Sequence, residues 1–407
     1  MPDPTGRVYL DHAATTPPDP AVVEAMLPFL TEAWHNPSSI YVEAQAARAA
    51  IDRARATVAR LIGAHEGEII FTSGGSEADN LALRGVLAAS TRRGRHLITS
   101  TVEHHAVLDT VEQLERDGVA EVTRLAPGPD GRVSPEAVEA AVRDDTVLVS
   151  LMHANNEVGA VTDIAEVSRR VKARNPRAMV HTDAVQSAAH LGVHVDRLGV
   201  DLLTLTGHKL YGPRGAGVLY ARSGTPLQPQ ILGGGQEDRR RAGTEDTAAI
   251  AGLARAMTLA WERREADVAH ERALQQRLIE ELPRRIPMLA ITGPRNLAHR
   301  LPGNVSCCVG FVEGESILLA LDLAGVAASS GSACTTGAVE PSHVLVGMGV
   351  PEDLARGSLR FTLGRGNTEA DVDRLLEVLP PIVQRLRALS PIPVTEPPQA
   401  WRPWLDG

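Results

Sequence analysis

Short apolar runs alternate with segments of helical periodicity over the first half of the chain. Runs with the length of buried strands lie at residues 68–72, 96–100, 121–125, 147–152, 179–182 and 202–205. Helical spacing of apolar residues lies between them, at residues 77–89, 106–116, 135–142 and 164–173. Strands that alternate with helices are typical of βαβ units, so we predict an α/β fold with a mostly parallel sheet covered on both faces.

Longer helical patterns flank this alternation. Apolar spacing predicts a helix over residues 19–34 that contains Pro28, and another over 41–62 that ends at Gly63. A charged helix is predicted over residues 248–282. Shorter elements follow it, with strands at 289–292, 304–308 and 357–362 and helices at 315–323 and 369–389. We interpret this C-terminal block as a smaller α+β domain.

The change of pattern predicts how the chain divides into domains. With 407 residues the chain exceeds one ordinary hydrophobic core. We predict a large domain over residues 19–260 and a small domain over 261–390, which the N-terminal residues 1–18 join. The proline-rich residues 391–407 are predicted to form a tail that is extended, disordered or packed on the surface.

Composition and charge narrow the function classes. The net charge of -9 argues against direct nucleic-acid binding, and no apolar run approaches the roughly 20 residues of a membrane span. The N-terminus shows no signal-peptide pattern. The three cysteines, Cys307, Cys308 and Cys334, have no CxxC spacing and indicate neither a disulfide framework nor a zinc site. We therefore expect a cytoplasmic protein without a metal site, whose functional cysteine acts as a thiol.

Unusual polar residues stand where predicted strands end. They are Ser76, His104, Asn155, Asp183, Gln186 and Lys209. Ligands of parallel sheets lie off the carboxyl ends of the strands, so we expect these side chains to share one edge. Because burying an ammonium is costly, a lysine here is either a surface residue or an amine held to form a Schiff base.

Each of these residues also has an ordinary structural interpretation. The turn at residues 73–76 can bind an anion at the start of a helix capped by Ser76, or it is a plain capped turn. Asp183 can pair with a buried cation such as a pyridinium nitrogen, or it caps a helix. Asn155 can bind a ring oxygen or a carboxylate, or it forms an Asx turn. His104 can stack on a flat ring or move protons, or it is a satisfied loop histidine.

The C-terminal block holds two further candidates. Cys334 stands in the small, polar stretch of residues 329–337, where we expect an exposed, mobile loop and hence a reactive thiol. Arg360 lies within an apolar strand, so its guanidinium binds a substrate carboxylate or forms a structural ion pair. Cys307 and Cys308 are expected to pack in the core and to face opposite sides of a strand.

Taken in their order along the chain, these motifs resemble those of the cysteine desulfurases, a class V aminotransferase-like group of fold-type I pyridoxal phosphate enzymes. The resemblance runs from Tyr9 to about Leu386. Its most specific pieces are residues 9–17, 72–80, 152–159, 181–187, 206–209, 233–244, 329–337 and 340–343. The long cysteine loop, at about residues 329–340, resembles that of the subgroup for iron–sulfur assembly and nitrogen fixation.

The resemblance implies a pyridoxal phosphate site and a role for each residue around the ring. Lys209 forms the Schiff base with the cofactor and takes the α-proton of L-cysteine. Asp183 pairs with the pyridine nitrogen, Gln186 donates to the phenolic oxygen, and His104 stacks on the ring. Asn155 contacts the cofactor and, with Arg360, holds the substrate carboxylate.

The resemblance also implies how the phosphate is bound and that the protein is a homodimer. The residues implied to bind the phosphate within one subunit are Gly75, Ser76, Thr206 and His208. Thr244 would reach the phosphate of the neighbouring subunit.

By the same resemblance, the Cys334 thiolate attacks the substrate sulfur, which leaves a persulfide on Cys334 and yields alanine. His104 is a candidate for accepting the thiol proton. An acceptor protein then takes the sulfur for iron–sulfur cluster assembly, tRNA thiolation or another sulfur modification. The alternatives are a selenocysteine or sulfinate lyase of the same fold and a sulfur-delivery subunit of a dedicated, for example DNA-modifying, complex.

Overall fold

The computed structural model describes residues 6–331, 340–389 and 396–405. The strands in these residues are β1 Val8–Tyr9, β2 Ile69–Thr72, β3 His96–Ser100, β4 Glu121–Leu125, β5 Thr146–Ser150, β6 Met179–Asp183, β7 Leu202–Thr206, β8 Gly217–Ala221, β9 Leu289–Thr292, β10 Asn304–Val309, β11 Val326–Ala327 and β12 Ser358–Thr362. The helices are α1 Pro20–Thr31, α2 Val42–Ile62, α3 Gly75–Ala89, α4 His105–Arg116, α5 Pro135–Ala141, α6 Ile164–Arg174, α7 Val195–Leu198, α8 Thr247–Arg285, α9 Gly314–Leu323, α10 His343–Gly347, α11 Glu352–Ala355, α12 Glu369–Leu389 and α13 Arg402–Leu405.

A seven-stranded sheet within the described residues has the strand order β2-β8-β7-β6-β5-β3-β4. The strands from β7 to β4 pair in parallel, whereas β8 pairs antiparallel with both β7 and β2. Strand β2 therefore has the same direction as β7, and every strand of this sheet except β8 presents its carboxyl end at one edge. The predicted α/β fold with a mostly parallel sheet is confirmed.

Both faces of this sheet are buried, which explains the continuous apolar runs in the sequence. Adjacent residues of β7 face opposite sides, so Leu203 and Leu205 enter one hydrophobic cluster and Leu202 enters another. Burial of each such side chain contributes about 1.5–3 kcal/mol. The packing fixes the register of β7 and hence the position of the residues that follow it.

A three-stranded antiparallel sheet, β12-β10-β9, lies in the C-terminal half. Cys307 and Cys308 on β10 are both buried and join different hydrophobic clusters, as predicted. Burial raises the pKa of the Cys307 thiol to about 12 and also raises that of Cys308. Both thiols are protonated near neutral pH, so neither is a ready nucleophile.

The helix boundaries lie close to the predicted ones. Helix α2 ends at Gly63, whose φ of 73° is left-handed, and Pro28 lies inside α1. Helix α8 continues across residue 260 without a break, so the predicted domain boundary there stays a proposal. Strand β1 pairs in parallel with β11 and so brings the N-terminal segment to the C-terminal half.

The described part of the tail packs on the protein, one of the alternatives given for it. A 3-10 turn, Gln399–Trp401, leads into α13, and the Trp401 side chain is buried. The sequence pattern did not predict this helix. Among the described residues, no helix combines the length and apolar character that crossing a bilayer requires.

Candidate active site

The predicted strand-end residues lie along the carboxyl edge of the main sheet. Asp183 is the last residue of β6, and Lys209 ends the 3-10 turn that follows β7. His104 follows β3, Asn155 follows β5, and Gly75 opens the helix after β2. Because these strands share one direction, the fold gathers residues that are up to 134 positions apart, from Gly75 to Lys209.

Lys209 is held by the N-terminal segment. Its Nζ donates to the carbonyl oxygens of Ala13 and Ala14, the latter at 2.7 Å. The Gln186 Nε2 donates to the same Ala13 oxygen at 3.0 Å. The Ala13 carbonyl thus accepts hydrogen bonds from both the Lys209 amine and the Gln186 amide, which the sequence predicted to act together. The only sequence signal for this contact is the polar loop that follows β1.

The carboxyl group of Asp183 is buried beside this amine. Its Oδ1 accepts from the backbone N–H of Val185 at 2.9 Å. Burial raises the pKa of Asp183 to about 6, although the Val185 N–H and the Lys209 charge oppose the rise. Behind it lies Asp79, fully buried, whose pKa is raised by burial and by the Asp183 charge. A buried carboxyl at this edge is stabilised as an anion by a neighbouring cation.

His104 caps helix α4 with its ring. The Nδ1 accepts from the backbone N–H of Ala106 at 3.0 Å. Burial, followed by the Lys209 charge, lowers the pKa of His104, so the ring is neutral near pH 7. With Nδ1 accepting, the proton of the neutral ring lies on Nε2. His104 therefore presents a donor, which disfavours its predicted role as the base for a thiol and leaves ring stacking as a prediction.

The turn after β2 brings a helix N-terminus to the same edge. Helix α3 begins at Gly75 with Gly74 as its N-cap, so the prediction that Ser76 caps the helix was wrong. A Cβ at Gly75 would lie 3.0 Å from Val185, so only glycine fits without displacing this neighbour. Ser76 is exposed in the first helical turn, where the positive end of the helix dipole favours a phosphate.

The two other predicted phosphate ligands have partners within the chain. The buried Thr206 hydroxyl donates to the carbonyl of Ala216 at 3.1 Å and keeps only acceptor capacity. His208 has its Nδ1 3.2 Å from the Thr15 hydroxyl, and its pKa is lowered to about 4 by burial and by neighbouring positive charges. The structure therefore favours the helix N-terminus over the Thr206 hydroxyl as the source of donors, whereas the neutral His208 ring still carries one N–H.

The donor set at this edge fits pyridoxal phosphate. It combines an amine, a buried carboxyl, an amide donor and a glycine turn at a helix N-terminus. A cavity of about 30 Å³ adjoins Lys209 and Gln186. A larger cavity of about 590 Å³ is lined by Tyr9, Asp19 and Arg365 and not by Lys209, so we place the site at the strand ends.

Comparison with known proteins identifies the family. The profile described as "Aminotransferase class-V" matches residues 8–375. The cysteine desulfurase IscS of Dictyoglomus turgidum is 48% identical over 385 residues, which cover 95% of this chain and 96% of that protein. The chain belongs to the cysteine desulfurases of the aminotransferase class-V family. The predictions of the family, the enzyme class and the pyridoxal phosphate cofactor are thereby confirmed.

Solved structures agree with this assignment to the cysteine desulfurases. A NifS-like protein superposes with a TM-score of 0.88 at 36% identity and covers 93% of this chain and all of its own. The structure named "SspA in complex with cysteine" has a TM-score of 0.76 at 36% identity and covers 88% of this chain and 98% of its own. The fold-type I architecture predicted from the sequence is confirmed.

Two residues predicted to hold the substrate carboxylate are engaged within this desulfurase chain. The Asn155 Oδ1 accepts from the N–H groups of Glu157 and Val158, and its Nδ2 donates to the Val102 carbonyl. The structure therefore favours the Asx-turn alternative for Asn155. Arg360 donates to Asp11 Oδ1 at 3.0 Å, which is the ion pair given as its alternative. Its Nε has no hydrogen-bond partner in the described residues.

Two further predicted site residues are Cys334 and Thr244. Cys334, predicted to take the sulfur, lies outside the described residues. Thr244 is exposed in the loop before α8, and the Arg241 Nε three residues earlier donates to Glu77 Oε1 at 2.8 Å. This ion pair ties the loop to the first turn of α3 in the same chain. The predicted contact of Thr244 with a neighbouring subunit stays a prediction.

Proposed function

We propose that this desulfurase removes sulfur from L-cysteine, releases L-alanine and carries the sulfur as a persulfide on Cys334. The observation that supports it best is the convergence of Lys209, Gln186 and Asp183 at one edge of the sheet. The relative solved with cysteine supports L-cysteine as the substrate. Bound pyridoxal phosphate would supply an electron sink at this edge.

The side chains of the chain itself divide the work. The Lys209 amine is the proton acceptor at the α-carbon, because it lies beside Asp183 at the strand ends where the cofactor would bind. Asp183 supplies a negative charge against a ring cation. The Cys334 thiolate forms a sulfur–sulfur bond with the substrate. The carbon–sulfur bond breaks, and the carbon keeps its electron pair and takes a proton.

Replacement of Cys334 tests the proposed sulfur transfer. Cys334→Ala is expected to keep the visible absorbance of the bound cofactor and to lose sulfide release from L-cysteine in a thiol reductant. Turnover of cysteine sulfinate should persist, since its sulfur leaves without thiol attack. Cys307→Ala, which removes a buried thiol, is the control. Full L-cysteine turnover in the Cys334 variant would remove this residue from the mechanism and favour the lyase alternative.

The sulfur acceptor, the oligomeric state and the cytoplasmic location belong to the same proposal. An acceptor in iron–sulfur assembly is the destination proposed here, and relatives named IscS support it. Trapping the protein that receives labelled sulfur in cell extract separates it from tRNA thiolation and from a DNA-modifying complex. Transfer of the label to a protein of either other pathway would contradict the proposed destination.

A homodimer is proposed from the exposed apolar face of α1 and the segment after it. Val23, Leu27 and Leu30 are 50%, 54% and 62% exposed at helical spacing, and Trp34 is 69% exposed. Exposed apolar side chains grouped on one helix face are a candidate interaction site. We infer that a second copy of the chain covers it.

A further inference from the structure

The carboxyl group of Glu157 contacts the chain on both sides of the stretch that carries Cys334. Its Oε2 accepts a hydrogen bond from the Ser342 hydroxyl. A Cβ placed on Gly331 would collide with the same oxygen, so this glycine backbone lies directly against the carboxylate. Gly331 and Ser342 are 11 positions apart in the sequence, yet both meet one buried oxygen atom.

The bond to Glu157 completes the hydrogen bonding of Ser342. The hydroxyl accepts from the N–H groups of Val344 and Leu345 at 3.1 and 3.3 Å and so caps α10. Its proton goes to Glu157, and the residue is 2% exposed. Donor and acceptor capacity are both used, which fixes the hydroxyl rotor and the start of α10. Glu157 thereby sets where the chain resumes after the cysteine stretch.

Further contacts tie the two ends to elements of the active site. Ser329 exchanges two backbone hydrogen bonds with Arg360, at 3.3 and 2.7 Å. On the other side, His343 Nε2 lies 3.0 Å from the carbonyl oxygen of Glu103, the residue before His104. Glu157 itself belongs to the Asx turn of Asn155, because its backbone N–H donates to Asn155 Oδ1 at 2.9 Å. The ends of the cysteine stretch are thus fastened to the loops that follow β3 and β5.

We propose that Glu157 is a positioning residue for Cys334, and this inference rests on the proposed function. Its carboxyl accepts a hydrogen bond from Ser342 and packs against Gly331. It thereby holds both ends of the cysteine stretch in one place relative to the sheet edge. A thiol that must reach a substrate sulfur depends on such placement, because a displacement of about 1 Å can cost about 100-fold in rate. Turnover of cysteine sulfinate needs no thiol attack, so this placement should matter for L-cysteine alone.

One variant can distinguish turnover that needs thiol attack, with L-cysteine, from turnover that does not, with cysteine sulfinate. Glu157→Ala is expected to lower kcat for L-cysteine by about 100-fold. The visible absorbance of the bound cofactor and the turnover of cysteine sulfinate, which needs no thiol attack, should stay at the native level. Glu157→Gln should recover most of the L-cysteine rate, because its amide oxygen still accepts from Ser342.

Glu68→Ala is the matched control. Glu68 is 5% exposed against 4% for Glu157, and it too receives hydrogen bonds, from the N–H groups of His65 and Ser223. Its hydrogen bonds in the described part of the chain are to His65 and Ser223 and not to Gly331 or Ser342. This variant should therefore keep the native ratio of L-cysteine to sulfinate turnover even where its melting temperature falls.

The outcomes that contradict the inference are specific. Equal losses with both substrates after Glu157→Ala would indicate a general structural role, and no loss with L-cysteine would also overturn the proposal. So would Glu157→Gln being as slow as Glu157→Ala. Glu157→Ala/Ser342→Ala should be no slower than Glu157→Ala alone, and additive losses would show that the two residues act separately. A native enzyme inactive on L-cysteine would instead contradict the proposed function.

Discussion

Three buried carboxyl groups near the active site have different pKa values because their neighbours differ. Burial raises the pKa of Glu103 to about 8, of Glu157 to about 7 and of Asp183 to about 6. The Lys209 charge opposes the rise at Asp183, whereas the Asp183 charge adds to the rise at Glu103. Asp183 therefore ionises most readily of the three, which suits the role proposed for it opposite a ring cation.

Glu103→Gln is expected to change how stability depends on pH. The folded state holds a proton on Glu103 between its ordinary pKa of 4.5 and about 8, where the unfolded state has lost it. The native protein therefore loses stability as pH rises through this window, by up to about 1.4 kcal/mol per pH unit. Glutamine does not titrate and still accepts a hydrogen bond from the Met152 N–H. The free energy of unfolding of the variant should therefore rise relative to that of the native protein as pH rises.

Denaturant unfolding of both proteins across this window measures the difference in free energy. Glu68→Gln is the control, because hydrogen bonds from His65 and Ser223 lower the pKa of Glu68 against the effect of burial. Its difference from native should stay flat above the ordinary pKa. A flat difference for Glu103→Gln as well would show that Glu103 is ionised throughout.

At the scale of elements, the local sequence pattern predicted those helices and strands whose bounds depend on local sequence. The strand at residues 96–100 and the helix at 369–389 have the predicted bounds, since period and turn residues specify them. Contacts between distant segments were missed, such as Lys209 with Ala13 and Ser342 with Glu157, which are 196 and 185 positions apart. The hydrogen bonds of Arg360 to Asp11 and of Asn155 to Val102, which favour the ordinary alternatives, also join distant segments.

The packing of the tail is likewise not predictable from local pattern, because a single buried side chain anchors it. Trp401 is 2% exposed and donates from Nε1 to Asp353 Oδ1 at 3.0 Å. A Cβ on Gly310 would lie 2.5 Å from its ring, so that glycine provides the space for the indole. An isolated tryptophan in a proline-rich stretch has no period, and the sequence offers no means to find its pocket.

Trp401→Ala is expected to destabilise the C-terminal half by about 3–5 kcal/mol, because a buried indole leaves a cavity. Chemical denaturation followed by circular dichroism measures the loss. Trp404→Ala is the matched control, since that side chain is half-buried and should cost less. Equal, small losses in both variants would mean that the tail does not hold Trp401 in place in solution.

At the scale of the whole molecule, Thr244 has two alternative assignments, to the site of its own subunit or to that of its neighbour. The resemblance assigns it to the neighbouring subunit, whereas the Arg241–Glu77 ion pair ties its loop to α3 of its own chain. The exposed apolar face of α1 gives a second copy a place to bind. The assignments differ in which pairs of defective subunits can restore each other.

Mixed dimers of Thr244→Ala and Lys209→Ala subunits decide between the two assignments. If Thr244 serves the neighbouring site, the Thr244→Ala subunit keeps its own Lys209 and receives Thr244 from its partner, so each mixed dimer has one native site. Desulfuration of L-cysteine should then exceed that of either variant alone, with native subunits mixed with Lys209→Ala subunits as the reference. If Thr244 serves its own site, both sites of the mixed dimer stay defective and co-expression yields no gain. Size-exclusion chromatography of the mixture must show a dimer for the comparison to hold, and a monomer that is fully active would contradict shared sites.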